Sequence, residues 1–238
     1  MLNFKIKIAN KVLEISAFNE TTKRYCAKFL SEEEPHYVIN MNEEDLKNES
    51  SNSVNGKVYV NEEISALYRK IADLFVEEGI IVFHGSSFKV NECGFIVTAR
   101  SGVGKSTHVN LLKELLGDEL IYINDDKPLL EVKDEITIFS NPWNGKERRG
   151  NNTFAPLKAI LFLGRSETPN FRKIENKQEL YVKMISQIYL PRDKDKREKA
   201  LKLADRILKD TNFYEINVNK DLESAKMTYE RIIKDEIK

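Results

Sequence analysis

The chain has 238 residues and sets 38 Lys plus Arg against 38 Asp plus Glu, so its formal charge is zero although 32% of its residues are charged. That balance argues against a protein held to nucleic acid by phosphate neutralisation, and against a disordered solvating chain. With 41% hydrophobic and 9% aromatic residues there is apolar surface for a sizeable core, in one large domain or one domain with an extension.

Cys26 and Cys93 lie far apart, without His or Cys neighbours at metal-ligand spacing, which indicates free thiols rather than a zinc site or a disulfide framework. The longest apolar runs, GIIVF and AILFL, are strand-sized, and the N-terminus interleaves lysines with apolar residues. The expectation is a cytoplasmic protein with neither a membrane nor a nucleic-acid partner.

Phe4, Ile6 and Ile8 alternate with Lys5 and Lys7, Asn10 and Lys11 can make a turn, and Val12 to Phe18 returns, which predicts a hairpin. Residues 31–56 are polar apart from an island at Tyr37 to Ile39 and read as a connection outside the core. Asn61-Glu62-Glu63 is a helix start, and Ile64, Leu67, Ile71 and Phe75 keep helical spacing until Gly79. These features predict a β-rich extension over 1–60 followed by a second domain over 61–238.

From Gly79 two apolar strands, IIVFH and GFIVT, are joined by SSFKVNE. A glycine-rich turn and an amphipathic helix (Val109, Leu112, Leu116) follow, closed by Gly117. Next come a strand over 120–124, a hairpin (129–132 with 136–139), a loop SNPWNGKERRGNN and a strand over 158–163. The spacing then predicts helices over 177–190 and 193–209, a strand over 213–218 and a helix from Leu222.

Residues 99–106 read A-R-S-G-V-G-K-S, a Walker A pattern with Ala99 where Gly is commoner. Gly102 and Gly104 let the backbone curl with its N–H groups inward, Lys105 can reach the β- and γ-phosphates, and the Ser106 hydroxyl is placed for magnesium. The backbone of Ser101 and Val103, and Thr107 at the helix start, add donors where the helix dipole favours an anion. The turn follows a buried-type strand and opens a helix, as this mechanism requires.

Asp125 and Asp126 end the next strand, LIYINDD, and emerge near the turn if that strand lies beside the Walker A strand. In a phosphoryl-transfer site one such acid holds magnesium and another accepts the proton of the attacking hydroxyl. His84 ends the preceding strand, where a lone His is usually a structural hydrogen-bonder. The loop around Trp143 sets Glu147 among Lys146, Arg148 and Arg149. Arg165 and Arg192 are candidates to meet a transferring phosphate.

Taken together, HG (84–85), SGVGKS (101–106), DD (125–126) and E-x-R-G (147–150), in this order with a strand or helix between, resemble the catalytic domain of HPr kinase/phosphorylase and its shorter relatives. That family's core is similar to ATP-dependent phosphoenolpyruvate carboxykinase. The likeness covers residues 80–165, with K-S-T at the helix start where the family usually has K-S-E. It implies an α/β fold, a P-loop-containing mixed sheet with flanking helices. It also implies that Asp125 is the general base, that His84 tunes the acids, and that Lys105 and Ser106 serve ATP and its Mg2+. Glu147 and Asp126 would be further magnesium ligands, with Arg149 offered to the phosphate.

The expected function is an ATP- and magnesium-dependent kinase transferring the γ-phosphoryl group to a hydroxyl, a serine of a small protein or peptide, with a small-molecule hydroxyl as the nearest variant. The competing class is a nucleotide-dependent switch that hydrolyses slowly and acts by binding a partner. Carboxykinase-type chemistry on an acid metabolite needs a second metal with a His and Lys ligand set, for which His36 and His108 are poorly placed.

Overall fold

The structure, a computed structural model, describes residues 1–49, 60–100 and 102–238. The chain divides into two compact units, Met1–Glu78 and Gly79–Lys238. Among the described residues no helix is long and apolar enough to cross a membrane.

In the first unit β1 (Leu2–Ile8) and β2 (Lys11–Ala17) form an antiparallel hairpin with Ile8 opposite Lys11. Its two-residue turn is Ala9-Asn10, both left-handed (φ 47° and 59°), the twist that suits a tight hairpin. Lys11, expected in the turn, already belongs to β2. The polar segment from residue 31 contributes more than a connection: β3 (Tyr37–Asn40) pairs parallel with β2 and buries Ile39. The island is too short to announce a strand by alternation; the ladder offered by β2 supplies what its own pattern lacks. Residues 50–56 of that segment lie outside the described residues.

Helices α1 (Glu20–Tyr25), α2 (Glu43–Glu49) and α3 (Val60–Glu77) complete the unit. Leu67, Ile71 and Phe75 of α3 are buried at the expected spacing. So is Glu63, whose carboxylate closes the start of α1: it accepts from the amides of Phe18 and Asn19, from Asn19 Nδ2 (2.9 Å) and from Thr22 Oγ1 (2.6 Å). Four donors meet on this one buried acid, two of them the backbone amides just ahead of α1.

The second unit is built on a nine-stranded mixed sheet. Its strands are β4 (Ile80–Val82), β5 (Ser86–Val90), β6 (Cys93–Thr98), β7 (Leu120–Asn124), β8 (Leu129–Val132), β9 (Ile136–Phe139), β10 (Phe154–Arg165), β11 (Asn170–Lys173) and β12 (Asn212–Val218). The order is β4-β8-β9-β10-β6-β5-β7, and β12 pairs with both β10 and β11. Strand β10 is twelve residues long. Its start pairs antiparallel with β9, and its remainder pairs parallel with β6 on one side and β12 on the other.

SSFKVNE, expected as a loop between two strands, contains β5, the antiparallel partner of β6 around a tight Asn91-Glu92 turn (φ 49° and 60°). Polar Ser86, Ser87 and Lys89 conceal it because each is buried with a partner. Helix α4 (Lys105–Leu116) buries Val109 and Leu112 against Phe88 and Phe95 of the β5–β6 hairpin, whose rings stack at 5.7 Å, and against Ile232 and Ile233 near the C-terminus.

Helix α5 (Lys177–Ile185) ends short of the expected Leu190. Gln187 and Ile188 leave it to bond with the β4 end of the sheet: Ile188 bridges Phe83, and Tyr189 N donates to Val82 O (3.0 Å). Helix α6 (Lys194–Asp210) starts at the Asp193 cap and buries Ala200, Ala204 and Ile207, and α7 (Leu222–Thr228) runs on through a π-helical turn, Tyr229–Ile233.

Helices α4 and α7 meet through His108. Thr228 Oγ1 donates to Ser224 O (3.0 Å), so His108 Nε2–H donates to Thr228 Oγ1 (3.0 Å) and Nδ1 is left buried without a partner. Burial lowers the His108 pKa from 6.5 to about 4.

Two outcomes are expected. Glu63→Ala strands several buried donors and lowers stability by about 3 kcal/mol in urea titration, well beyond the effect of an exposed glutamate such as Glu62→Ala. For His108 the unfolded chain takes a proton that the folded chain refuses. Its contribution is therefore complete above pH 6.5 and is lost as pH falls towards 4. Between pH 7.5 and 4.5 the wild type should lose about 2 kcal/mol more than His108→Gln, read from urea midpoints at the two pH values.

Candidate functional site

The site forms where β6 and β7 end and α4 begins, all within the second unit. Ala99 and Arg100 follow β6, and Ser101 lies outside the described residues. Gly102 (φ 79°) and Gly104 (φ 124°) are both left-handed, and a Cβ added at either would meet nothing within 4 Å. The glycines are therefore required by backbone conformation, and the space above the turn is open. Gly104 caps α4 without a side-chain bond, and the first helical bond is His108 N to Gly104 O (2.9 Å). The amides of Lys105, Ser106 and Thr107 thus have no intrahelical acceptor, and the positive end of the helix faces the turn.

Lys105 Nζ stands 3.3 Å from His84 Nε2. Burial, then the neighbouring Lys105, holds the His84 pKa below its ordinary value; burial also lowers the Lys105 pKa, against the pull of Asp126 and Asp125. A neutral imidazole accepting from an ammonium satisfies both directions. His84 is fixed from behind: its backbone N donates to Gln187 O (2.6 Å), and its carbonyl lies 2.7 Å from the Thr98 hydroxyl, itself 2.8 Å from Gln187 Oε1.

The two acids reach the turn by a route the sequence does not show. β7 does not lie beside β6; β5 runs between them, antiparallel to both, so β7 points the same way as β6. Ser86 at the start of β5 closes the gap. Its hydroxyl donates to Asp125 Oδ1 (2.6 Å), and the Ser106 hydroxyl reaches the same oxygen (3.4 Å). The Asp125 side chain is 3% exposed. Asp126, 29% exposed, turns the other way, pairing with Lys127 (2.5 Å) and lying 3.7 Å from His84 Nε2. Asn124 Oδ1 accepts from the amides of Asp126 and Lys127, and Asn144 Oδ1 from that of Asp125, which fixes the bend.

Arg149 comes to the same place from the loop after β9. It donates to Asn110 Oδ1 on α4 (2.7 Å) and lies 3.8 Å from Asp125 Oδ2 and 3.7 Å from Glu147. Tyr122 of β7 donates to the same Asn110 oxygen (2.6 Å); its own pKa is raised to about 12, chiefly by burial. Gly150 presses this loop onto the sheet: a Cβ there would lie 2.1 Å from Asn144 Nδ2 and 2.5 Å from Ile123 O.

Glu147, expected as a magnesium ligand with Ser106 and Asp126, is largely exposed and turned to Arg149. The carboxylate within reach of Ser106 is that of Asp125. Among the described residues no three His, Cys, Asp or Glu side chains form a metal-binding group.

Two clefts of ≈ 920 and ≈ 720 Å³ flank the turn and share Gly102, Val103 and Arg165. The larger also takes in His84, Thr98 and Gln187; the smaller takes in Thr107, Asn219 and Lys220. Arg192 lines neither: it is exposed, and its carbonyl accepts from Arg197. Sequence reasoning missed Ser86, Gln187 and Asn110. All three are ordinary polar residues whose significance is a contact across 39, 89 to 103 or 12 to 39 positions, and no local pattern signals that.

No family model matches the chain. No curated protein matches it either. Among solved structures it is similar to the HPr(Ser) kinase/phosphatase from Coxiella burnetii, with a TM-score of 0.39 and 10% identity over 65% of this chain and 92% of that one. That likeness is weak in both shape and sequence.

Proposed function

We propose that this protein is an ATP- and magnesium-dependent phosphotransferase acting on a hydroxyl, a serine of a small protein or peptide. The observation that carries the reading is the start of α4: Lys105 and Ser106 follow two left-handed glycines, and the Ser106 hydroxyl reaches a buried aspartate at the end of β7. The open amides, the free space over the glycines and the flanking clefts fit a nucleotide's phosphates.

Bound ATP and magnesium would supply the phosphoryl group and a divalent charge to screen it. The chain's part is to hold and orient. The amides of residues 105–107 and the Lys105 ammonium take the phosphate oxygens, and Ser106 with Asp125 forms a hydroxyl–carboxylate pair suited to the metal and its water. Arg149, held by Asn110, adds a cation to this side of the site.

Burial favours exchanging the roles that the resemblance implies for the two acids. Both Asp125 oxygens are shielded, with Ser86 and Ser106 on one and Arg149 near the other. With its side chain 3% exposed, Asp125 offers an incoming hydroxyl little access. Asp126 is more open and lies on the Lys105 side of His84, with the Lys127 ammonium on its other oxygen, so its carboxylate takes the acceptor's proton.

The pair of variants separates these roles. Asp125→Asn should weaken magnesium-dependent ATP binding about tenfold or more. Asp126→Asn should leave that binding within about twofold and cut transfer about 10²- to 10⁴-fold. Transfer is read by incubating the protein with γ-labelled ATP and an extract of its source cells. Partner binding that follows nucleotide with no acceptor labelled would replace the kinase by a switch, and reversed behaviour of the two variants would restore Asp125 as the base.

A further inference from the structure

Arg165 is the last residue of β10, paired with Val218 in the parallel ladder to β12. Its side chain leaves the sheet edge and donates twice into the glycine-rich turn: Nε to Val103 O (3.0 Å) and a terminal nitrogen to Gly102 O (2.6 Å). These two carbonyls belong to consecutive peptide units, those joining Gly102 to Val103 and Val103 to Gly104. A planar trans peptide points its N–H opposite to its C=O. Fixing both carbonyls on Arg165 therefore fixes the direction of both amides: the Val103 N–H closes the turn onto Arg100 O (3.3 Å), and the Gly104 N–H is oriented with it at the head of α4.

The same contact has an electrostatic side. The negative ends of two peptide dipoles are drawn towards a guanidinium. Among the described residues no added Cβ at Gly102 or Gly104 would meet anything within 4 Å, so side-chain packing does not hold the turn at these positions. Two left-handed glycines give the backbone freedom to flip, and the planar fork of an arginine, which meets two acceptors at once, removes it. Lysine has one charged nitrogen on a flexible stem and does not reproduce that geometry.

We infer that Arg165 is a positioning residue that preorganises the turn for phosphate by clamping the Gly102 and Val103 carbonyls. The inference rests on the phosphate-binding reading above but acts before any ligand arrives. Removing the clamp lets the turn sample orientations that present carbonyls to the anion, and binding then has to select the competent one.

The test compares wild type, Arg165→Lys and Arg165→Met, with circular dichroism to establish that each is folded. Arg165 is exposed, so folding should survive. The first readout is amide hydrogen exchange at Val103 and Gly104 without nucleotide; the second is affinity for inorganic pyrophosphate and for Mg-ATP at low and at 0.3 M salt. Both variants should speed exchange about fivefold or more and weaken both ligands by about tenfold, with the affinity ratio to wild type unchanged by salt. Affinity restored to within twofold by Arg165→Lys, or a loss that vanishes at high salt, overturns the clamp in favour of simple charge attraction. Unchanged exchange in both variants overturns it outright. If unaltered protein binds neither ligand, the phosphate reading fails while the exchange arm still reports whether Arg165 orders the turn.

Discussion

The carboxylate of Asp125 ties together the three elements on which the site depends. One of its oxygens accepts from Ser86 at the start of β5 and is reached by Ser106 in the first turn of α4, and Asp125 itself ends β7. A charged group this buried is tolerable only with its hydrogen-bonding capacity met. The requirement works in reverse as well, because satisfying Asp125 fixes the start of α4 relative to β7 across the intervening strand. Arg149, Asn110 and Tyr122 continue the tie on the outer side of α4, so the helix is held to β7 at two levels. The ends of the glycine-rich turn are thereby fixed, which leaves to Arg165 only the orientation of its inner peptides.

Much of this was legible in the sequence, and the reasons differ between elements. The glycines, Lys105 and Ser106 announce themselves because their chemistry is local: a left-handed turn needs glycine, and a phosphate hole at a helix start needs adjacent donors. Helices α3, α4 and α6 and the strands at β7, β8, β9 and β12 were readable from pattern alone, whereas the short α1 and α2 were not. Strand β5 was not, since Ser86 and Ser87 spend their polarity on partners that the sequence keeps at a distance, and Lys89 folds back onto Glu92 in the turn. The same cause hid Gln187, which belongs to the end of a helix by pattern and to the back of His84 by contact. The condition that β7 lie next to β6 was not met, yet the acids still arrive at the turn because two antiparallel steps through β5 restore the direction of one parallel step.

Zero net charge also acquires a local meaning. Around the turn the charges are interleaved: Lys105 beside His84 and the two acids, Lys127 on Asp126, Arg149 between Asp125 and Glu147. Each charge moderates the next, as the opposing influences on Lys105 and His84 record. Arg165 differs, since its partners are neutral carbonyls and its charge is left unopposed by them.

Strand β10 begins against β9, continues between β6 and β12, and ends at Arg165 beside the glycine-rich turn. The antiparallel ribbon formed by β4, β8 and β9 and the parallel strands that bear the site therefore share one backbone. Contiguous supersecondary motifs often open as cooperative units. Opening of the ribbon at β9 should accordingly be transmitted along β10 towards the site. A lesion in the β8–β9 hairpin, far from any phosphate, would be felt at the turn as a loss of order along the strand common to both.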